Sequence, residues 1–122
     1  REPCTILGDH AELEQLFLNL LMNAHEATPP RGMLRVELAM SGGRPTAAII
    51  DTGPGVPAAL VERVFEPFFT TKQQGSGLGL AICAAIAQTH GAKLKAANRR
   101  TGGAVFTVEF PAPAGAPVTV NA

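Results

Sequence analysis

Apolar residues change their spacing at several points along the chain, and those changes mark out its elements. From residue 9 to residue 27, Leu13, Leu16, Phe17, Leu20, Leu21 and Ala24 recur at i, i+3, i+4, i+7, i+8 and i+11. At roughly 100° per residue they fill an arc about 140° wide, the core-facing stripe of one long helix. Asp9 is placed to cap it, with Glu12 three residues on as the partner of a capping box. Thr28-Pro29-Pro30-Arg31-Gly32 must end it, because proline cannot continue a helix and glycine favours the turn. Residues 34–40 alternate, with Leu34, Val36, Leu38 and Met40 on one side, and predict a half-buried strand. A hairpin loop at 41–45 leads to a second strand over 46–50, which ends at Asp51.

Past that strand the pattern loosens and then resumes. A short helix is expected over 58–64, after Pro57. The glycines at 75–79 open a second, more apolar helix with Leu78, Ile82, Ala85, Ile86 and Thr89 on one face. His90 and Gly91 close it, His90 against the helix dipole and Gly91 as C′. Two further strands span 93–98 and 104–110 around a turn at 99–103. Residues 4–7, β-prone after Pro3, read as an edge strand.

Composition narrows the class. With 122 residues, 46% hydrophobic and 16% charged, the chain fits one soluble domain. Residues 1–110 are expected to form that domain, and residues 111–122, rich in proline and alanine, are expected to form a flexible tail. Ten basic residues balance ten acidic ones with no basic run, so no nucleic-acid footprint is indicated. No apolar run approaches the roughly 20 residues of a membrane span, and no signal peptide is visible. Cys4 and Cys83 form no C-x-x-C pair and read as small buried hydrophobes in a reducing, cytoplasmic compartment. A start at Arg1 rather than at Met is expected of a piece excised from a longer protein.

Candidate chemistry gathers in three places. Asn19 and Asn23 lie four residues apart on one flank of the apolar stripe. Two amides beside an apolar face are costly unless something polar lies against them, and a metal ion or a phosphate would serve; a plain helix–solvent boundary would also accommodate them. Asp51-Thr52-Gly53-Pro54-Gly55-Val56-Pro57 follows a strand directly, so its glycines make a tight turn open to close approach. Asp51 could accept from the exocyclic amine of a base, or simply stabilise the turn. Gly75-Ser76-Gly77-Leu78-Gly79 runs into a helix N-terminus, where free N–H groups and the dipole favour phosphate. It is neither a dinucleotide fingerprint nor a P-loop. Between the last two lies a segment with three phenylalanines, Phe65, Phe68 and Phe69, and then Lys72: either a loop anchored to the core or a movable lid.

Together these segments resemble the catalytic and ATP-binding domain of bacterial sensor histidine kinases, of the Bergerat-type ATPase superfamily. LFLNLLMNAHEA is similar to the asparagine box, DTGPGV to the first glycine box, FEPFFTTK to the phenylalanine box, GSGLGLAI to the second glycine box, and GGAVFTVEFP to the closing strand. The four boxes appear in the family's order over residues 1–110, and FEPFFTTK is most like the nitrogen-regulation type. The resemblance implies an α/β two-layer sandwich: a mixed, mostly antiparallel sheet of about five strands, with helices on one face.

It also implies roles. Asn23 would ligate a magnesium ion bridging the phosphates of ATP, and Asn19 would contact phosphate or the metal's water. Asp51 would accept from the adenine amine, with Gly53 and Gly55 letting the base approach. Gly75, Ser76, Gly77, Leu78 and Gly79 would line the triphosphate, and Lys72 would reach it from the lid. ATP-hydrolysing members of the superfamily, such as DNA gyrase and the heat-shock chaperone ATPases, place a glutamate where Asn19 stands, as the general base for water. Its replacement implies slow hydrolysis and transfer of the γ-phosphoryl group to a histidine, with that histidine on a dimerisation domain of the same protein and a response regulator as final acceptor. None of His10, His25 or His90 sits in the acceptor context, and His25 reads as solvent-facing. The alternatives are an anti-sigma-factor type serine kinase and a non-catalytic nucleotide-binding regulator. Leu18 and Met22 project opposite the core stripe, and at least one is expected to be exposed.

Overall fold

The computed structural model describes residue 6, residues 8–66 and residues 79–112. The first helix, α1, runs His10–Ala27. Its cap is the expected one: the Asp9 carboxylate accepts from the Glu12 N–H at 2.9 Å, giving a first-turn donor its partner. The return arm of the capping box is not the one expected. The Asp9 N–H donates to His90 Nε2 at 3.0 Å instead. An acceptor at Nε2 puts the proton on Nδ1, which lies 2.9 Å from the Ile86 carbonyl and donates to it; these two partners assign the neutral Nδ1–H tautomer. At the other end, the Thr28 N–H and hydroxyl both bond the Ala24 carbonyl, ahead of two prolines.

The apolar stripe of α1 is the predicted one. Leu16, Leu20 and Ala24 are buried, and Leu13, Phe17 and Leu21 pack partly against them. On the opposite side Leu18 and Met22 are 53% and 52% exposed, so both, not just one, face outward.

Four strands follow: β1 (Leu34–Ser41), β2 (Arg44–Asp51), β3 (Lys93–Asn98) and β4 (Ala104–Glu109). They form one sheet in the order β1-β2-β4-β3, antiparallel at every pairing. The architecture is the expected α/β two-layer one, but among the described residues the sheet has four strands rather than about five, and none is parallel. The remaining expected strand, residues 4–7, lies outside the described residues apart from Ile6, which is in no strand.

Register decides which side chains meet. Ile49 pairs with Phe106, which pairs with Ala96; Ala47 pairs with Val108, which pairs with Leu94. Directly opposed residues share a face, so these rows form one surface, and they are buried with the α1 stripe and with Cys83 and Ile86. The edge strand β1 departs from expectation. Leu34, Val36 and Leu38 share a face with Asp51, Ile49 and Ala47, yet they are not half-buried: Leu38 is 61% exposed. The reason is the reach of the helices, because α1 packs on β2 and the second helix on β3. Alternation marks the face of a strand; it does not say whether anything covers it.

The second helix, α2, spans Gly79–Thr89, and its buried residues are Cys83, Ile86 and Ala87. The predicted face of Ile82, Ala85, Ile86 and Thr89 is rotated from this one, and Ile82, Ala85 and Thr89 are exposed. An almost wholly apolar helix has little amphipathic contrast, so its periodicity could not select the buried side. The exit is the predicted one: Gly91 has φ 67°, its N–H bonds the Gln88 carbonyl, and the Ala92 N–H bonds the Ala87 carbonyl, the pattern of a Schellman cap. The short helix after Pro57 is a 3₁₀ helix, Ala58–Arg63, with no side-chain cap. It leads to buried Val64 and to Phe65, whose ring meets that of Phe106 edge-on at 6.0 Å. That phenylalanine is therefore an anchor to the core; Phe68 and Phe69 lie outside the described residues.

Candidate functional site

Asp51 is the last residue of β2, 1% exposed, the one charged side chain buried among the described residues. The core face of the strand turns it inward. Its Oδ1 accepts from the Gly53 N–H at 2.8 Å and from the Ala104 N–H at 3.3 Å. Its Oδ2 is buried with no hydrogen-bond partner among the described residues. Leaving a buried carboxylate oxygen unpaired costs on the order of 1–3 kcal/mol or more, so the geometry calls for a donor from beyond the described residues.

The loop after Asp51 is held from two sides. Its Gly53 lies against the end of α1, where a Cβ would stand 2.2 Å from the Ala27 carbonyl oxygen. On the other side, the turn between β3 and β4 closes over it. A Cβ at Gly103 would stand 1.9 Å from the Asp51 carbonyl oxygen, and the Asn98 side chain bonds the backbone of Val56. The glycines thus have packing reasons within the chain, besides any room they leave for a ligand.

Asn19 and Asn23, both half-buried, share one side of α1. Asn19 leans on α2. Its Nδ2 is buried with no hydrogen-bond partner among the described residues, and its nearest polar neighbour is the thiol of Cys83. Sulfur accepts weakly, so this contact orients the amide without satisfying it. The Cys83 thiol in turn donates to the Leu16 carbonyl at 3.6 Å. Burial pushes it up to about 12, against the pull of its backbone hydrogen bond and of the Asn19 amide. Gly79 starts α2 one helical turn before Cys83, and among the described residues nothing lies within 4 Å of where its Cβ would be.

α1 thus meets the Asp51–Val56 loop at Ala27, where Gly53 packs on it, and α2 along its length. Around it stand a carboxylate oxygen with no partner among the described residues, two half-buried amides, and the start of an eleven-residue helix, whose N-terminus favours anions. Among the described residues no three His, Cys, Asp or Glu side chains gather to hold a metal ion. A cation here would take an amide oxygen of α1 and draw its remaining charge from the oxygens of a bound ligand. Lys72, Gly75, Ser76, Gly77 and Leu78 lie outside the described residues. No helix among the described residues is long and apolar enough to cross a membrane.

Sequence reasoning overlooked Asn98, Gly103, Ala104 and Cys83. A glycine pair just before a strand and an asparagine at a strand end were visible signals, but only register brings them to Asp51. Cys83 reads as packing until α2 is set against α1.

Three comparisons bear on this site. Residues 8–114 match the model of the histidine kinase-, DNA gyrase B- and HSP90-like ATPases. The chain is 42% identical over 112 residues to the sensor histidine kinase TmoS of Ectopseudomonas mendocina, an alignment covering 87% of this chain and 12% of TmoS. Among solved structures it resembles the mycobacterial sensor histidine kinase MprB, with TM-score 0.84 and 32% identity over 90% of this chain and 78% of that one. It also resembles full-length ShkA in complex with AMPPNP, with TM-score 0.79 and 32% identity over 99% of this chain and 25% of that one. The chain spans about a quarter or less of the curated relatives it matches, such as 26% of sporulation kinase C of Bacillus subtilis.

Proposed function

Because this chain belongs to the histidine kinase-, DNA gyrase B- and HSP90-like ATPase family, we propose that it is the ATP-binding catalytic unit of a two-component sensor histidine kinase. The observation that carries this reading is the buried Oδ2 of Asp51, without a partner among the described residues, together with the two half-buried amides of Asn19 and Asn23 on α1. Adenine's amine is a donor of the kind Oδ2 lacks. The AMPPNP complex of ShkA supports a nucleotide in this fold.

In this reading Asp51 orients the base, Asn19 and Asn23 present amide oxygens along the phosphates, and the first turn of α2 donates N–H groups to them. Asn23 would hold the magnesium ion that comes with the nucleotide, and the ion would supply neutralisation of the phosphate charge. Lys72 and the segment 75–79 complete the phosphate side. The amide of Asn19 takes no proton from water, so water is not activated and hydrolysis is slow. A neutral imidazole needs no such base. In this reading the acceptor is a histidine on a dimerisation domain of the same protein, and a response regulator takes the phosphoryl group onward, in the cytoplasm.

Labelled ATP mixed with this chain and an added dimerisation domain tests the proposal. The expected product is an acid-labile, base-stable phosphoprotein. A base-labile, acid-stable product would mean a serine kinase instead, and measurable ATP binding without transfer would mean a nucleotide-gated regulator.

A further inference from the structure

We propose that Asn98, at the end of β3, is a positioning residue for base recognition. It holds the loop that carries the base pocket as a neighbouring strand would. The inference deepens the reading of Asp51 as the adenine acceptor and rests on it.

Both polar atoms of the Asn98 amide are committed to one residue. Oδ1 accepts from the Val56 N–H at 2.8 Å, and Nδ2 donates to the Val56 carbonyl at 2.5 Å. A residue in an antiparallel ladder exchanges this same pair of bonds with its partner. Val56 belongs to no strand, so a side chain supplies the pairing that the backbone does not. From Gly53 to Pro57 the backbone has few other donors to spend. Pro54 and Pro57 have no N–H, and the Gly53 N–H is spent on Asp51. Gly55 has φ 79°, and a Cβ there would stand 2.7 Å from Asn98 Oδ1, so the approach of the amide excludes a side chain at this position.

The same turn grips the other end of the loop. The Arg99 N–H bonds the Gly103 carbonyl at 2.8 Å, closing the turn. Gly103 packs on the Asp51 backbone and the Ala104 N–H reaches Asp51 Oδ1. One turn therefore fixes the carboxylate that would read the base and the stretch of backbone beside which the base would lie. With Asn98 gone, Asp51 keeps its own bonds, but the Val56 backbone loses both of these bonds and only its side chain's packing on the core holds it, so the pocket's shape loosens.

The test compares binding of magnesium-ATP and magnesium-ITP, which lacks the exocyclic amine, by calorimetry. It uses the 122-residue chain and its Asn98→Ala, Asn98→Asp and Asn98→Gln variants, with circular dichroism checking each fold. The wild type is expected to prefer ATP. Asn98→Ala and Asn98→Asp should weaken ATP binding about five- to tenfold, the equivalent of roughly one oriented hydrogen bond, and bring the ATP-to-ITP ratio toward one. Asn98→Gln, which keeps both amide atoms, should recover part of the preference, and Asn98→Asp and Asn98→Ala each serve where the other fails to fold. A wild-type ATP-to-ITP ratio in folded Asn98→Ala or Asn98→Asp would overturn the inference and leave the site reading intact. No binding of either nucleotide by the wild type would overturn both.

Discussion

At the scale of single residues, the site depends on side chains half provided for by the fold. Asp51 has one oxygen spoken for and one waiting. An Asp51→Asn substitution keeps the acceptor for Gly53 and Ala104 but turns Oδ2 into an N–H₂ that confronts another donor. ATP affinity should fall about tenfold or more, as expected when a buried hydrogen bond is exchanged for donor–donor opposition, with the fold retained; titration calorimetry reads it. Cys83 illustrates a different residue-scale effect. Its thiol is held at about 12 in the fold against an ordinary 9.0, so the unfolded chain releases this proton first. Its contribution is complete below pH 9 and is lost as pH climbs toward 12, by at most about 1.4 kcal/mol per unit. No tyrosine is present to blur that window. Urea unfolding of Cys83→Ala between pH 8 and 10.5 should show a flatter alkaline slope than the wild type, whatever the variant's stability at neutral pH.

At the scale of elements, the two helices are coupled where α2 ends and α1 begins. His90 joins the exit of α2 to the entry of α1, and its 6% exposed side chain sits near Glu12, with Nδ1 3.9 Å from the carboxylate. A His90→Leu variant keeps the packing and loses both hydrogen bonds, which should cost about 1–2 kcal/mol in urea unfolding without altering nucleotide affinity by more than about twofold. Sequence reasoning found the helices because caps and apolar spacing are local. It gave His90 a role within α2 only, since its partner Asp9 lies 81 positions away. It also misjudged which side of α2 is buried, because nothing in an all-apolar helix distinguishes one side until α1 is laid against it.

At the scale of the whole molecule, burial is uneven across the sheet. Ile49 is 0% exposed in the middle of the core, while Leu38, on the same face of the sheet, stands largely in the open. Ile49→Ala should destabilise the chain by about 2–4 kcal/mol, whereas Leu38→Thr should change its stability by less than about 0.5 kcal/mol. Chemical denaturation of both variants checks the contrast, and a large loss for Leu38→Thr would mean that something covers the edge strand in solution.

The order of the elements, the stripe of α1, the caps, the hairpins and the boxes around Asn19, Asn23 and Asp51 follow from spacing along the chain, because each depends on residues within a few positions of one another. The open face of β1, the buried side of α2, the His90–Asp9 bond and the hold of Asn98 on Val56 do not. They were decided when strand register and helix packing brought distant segments together, since burial and hydrogen-bond partnership are properties of neighbours in space that no local period records.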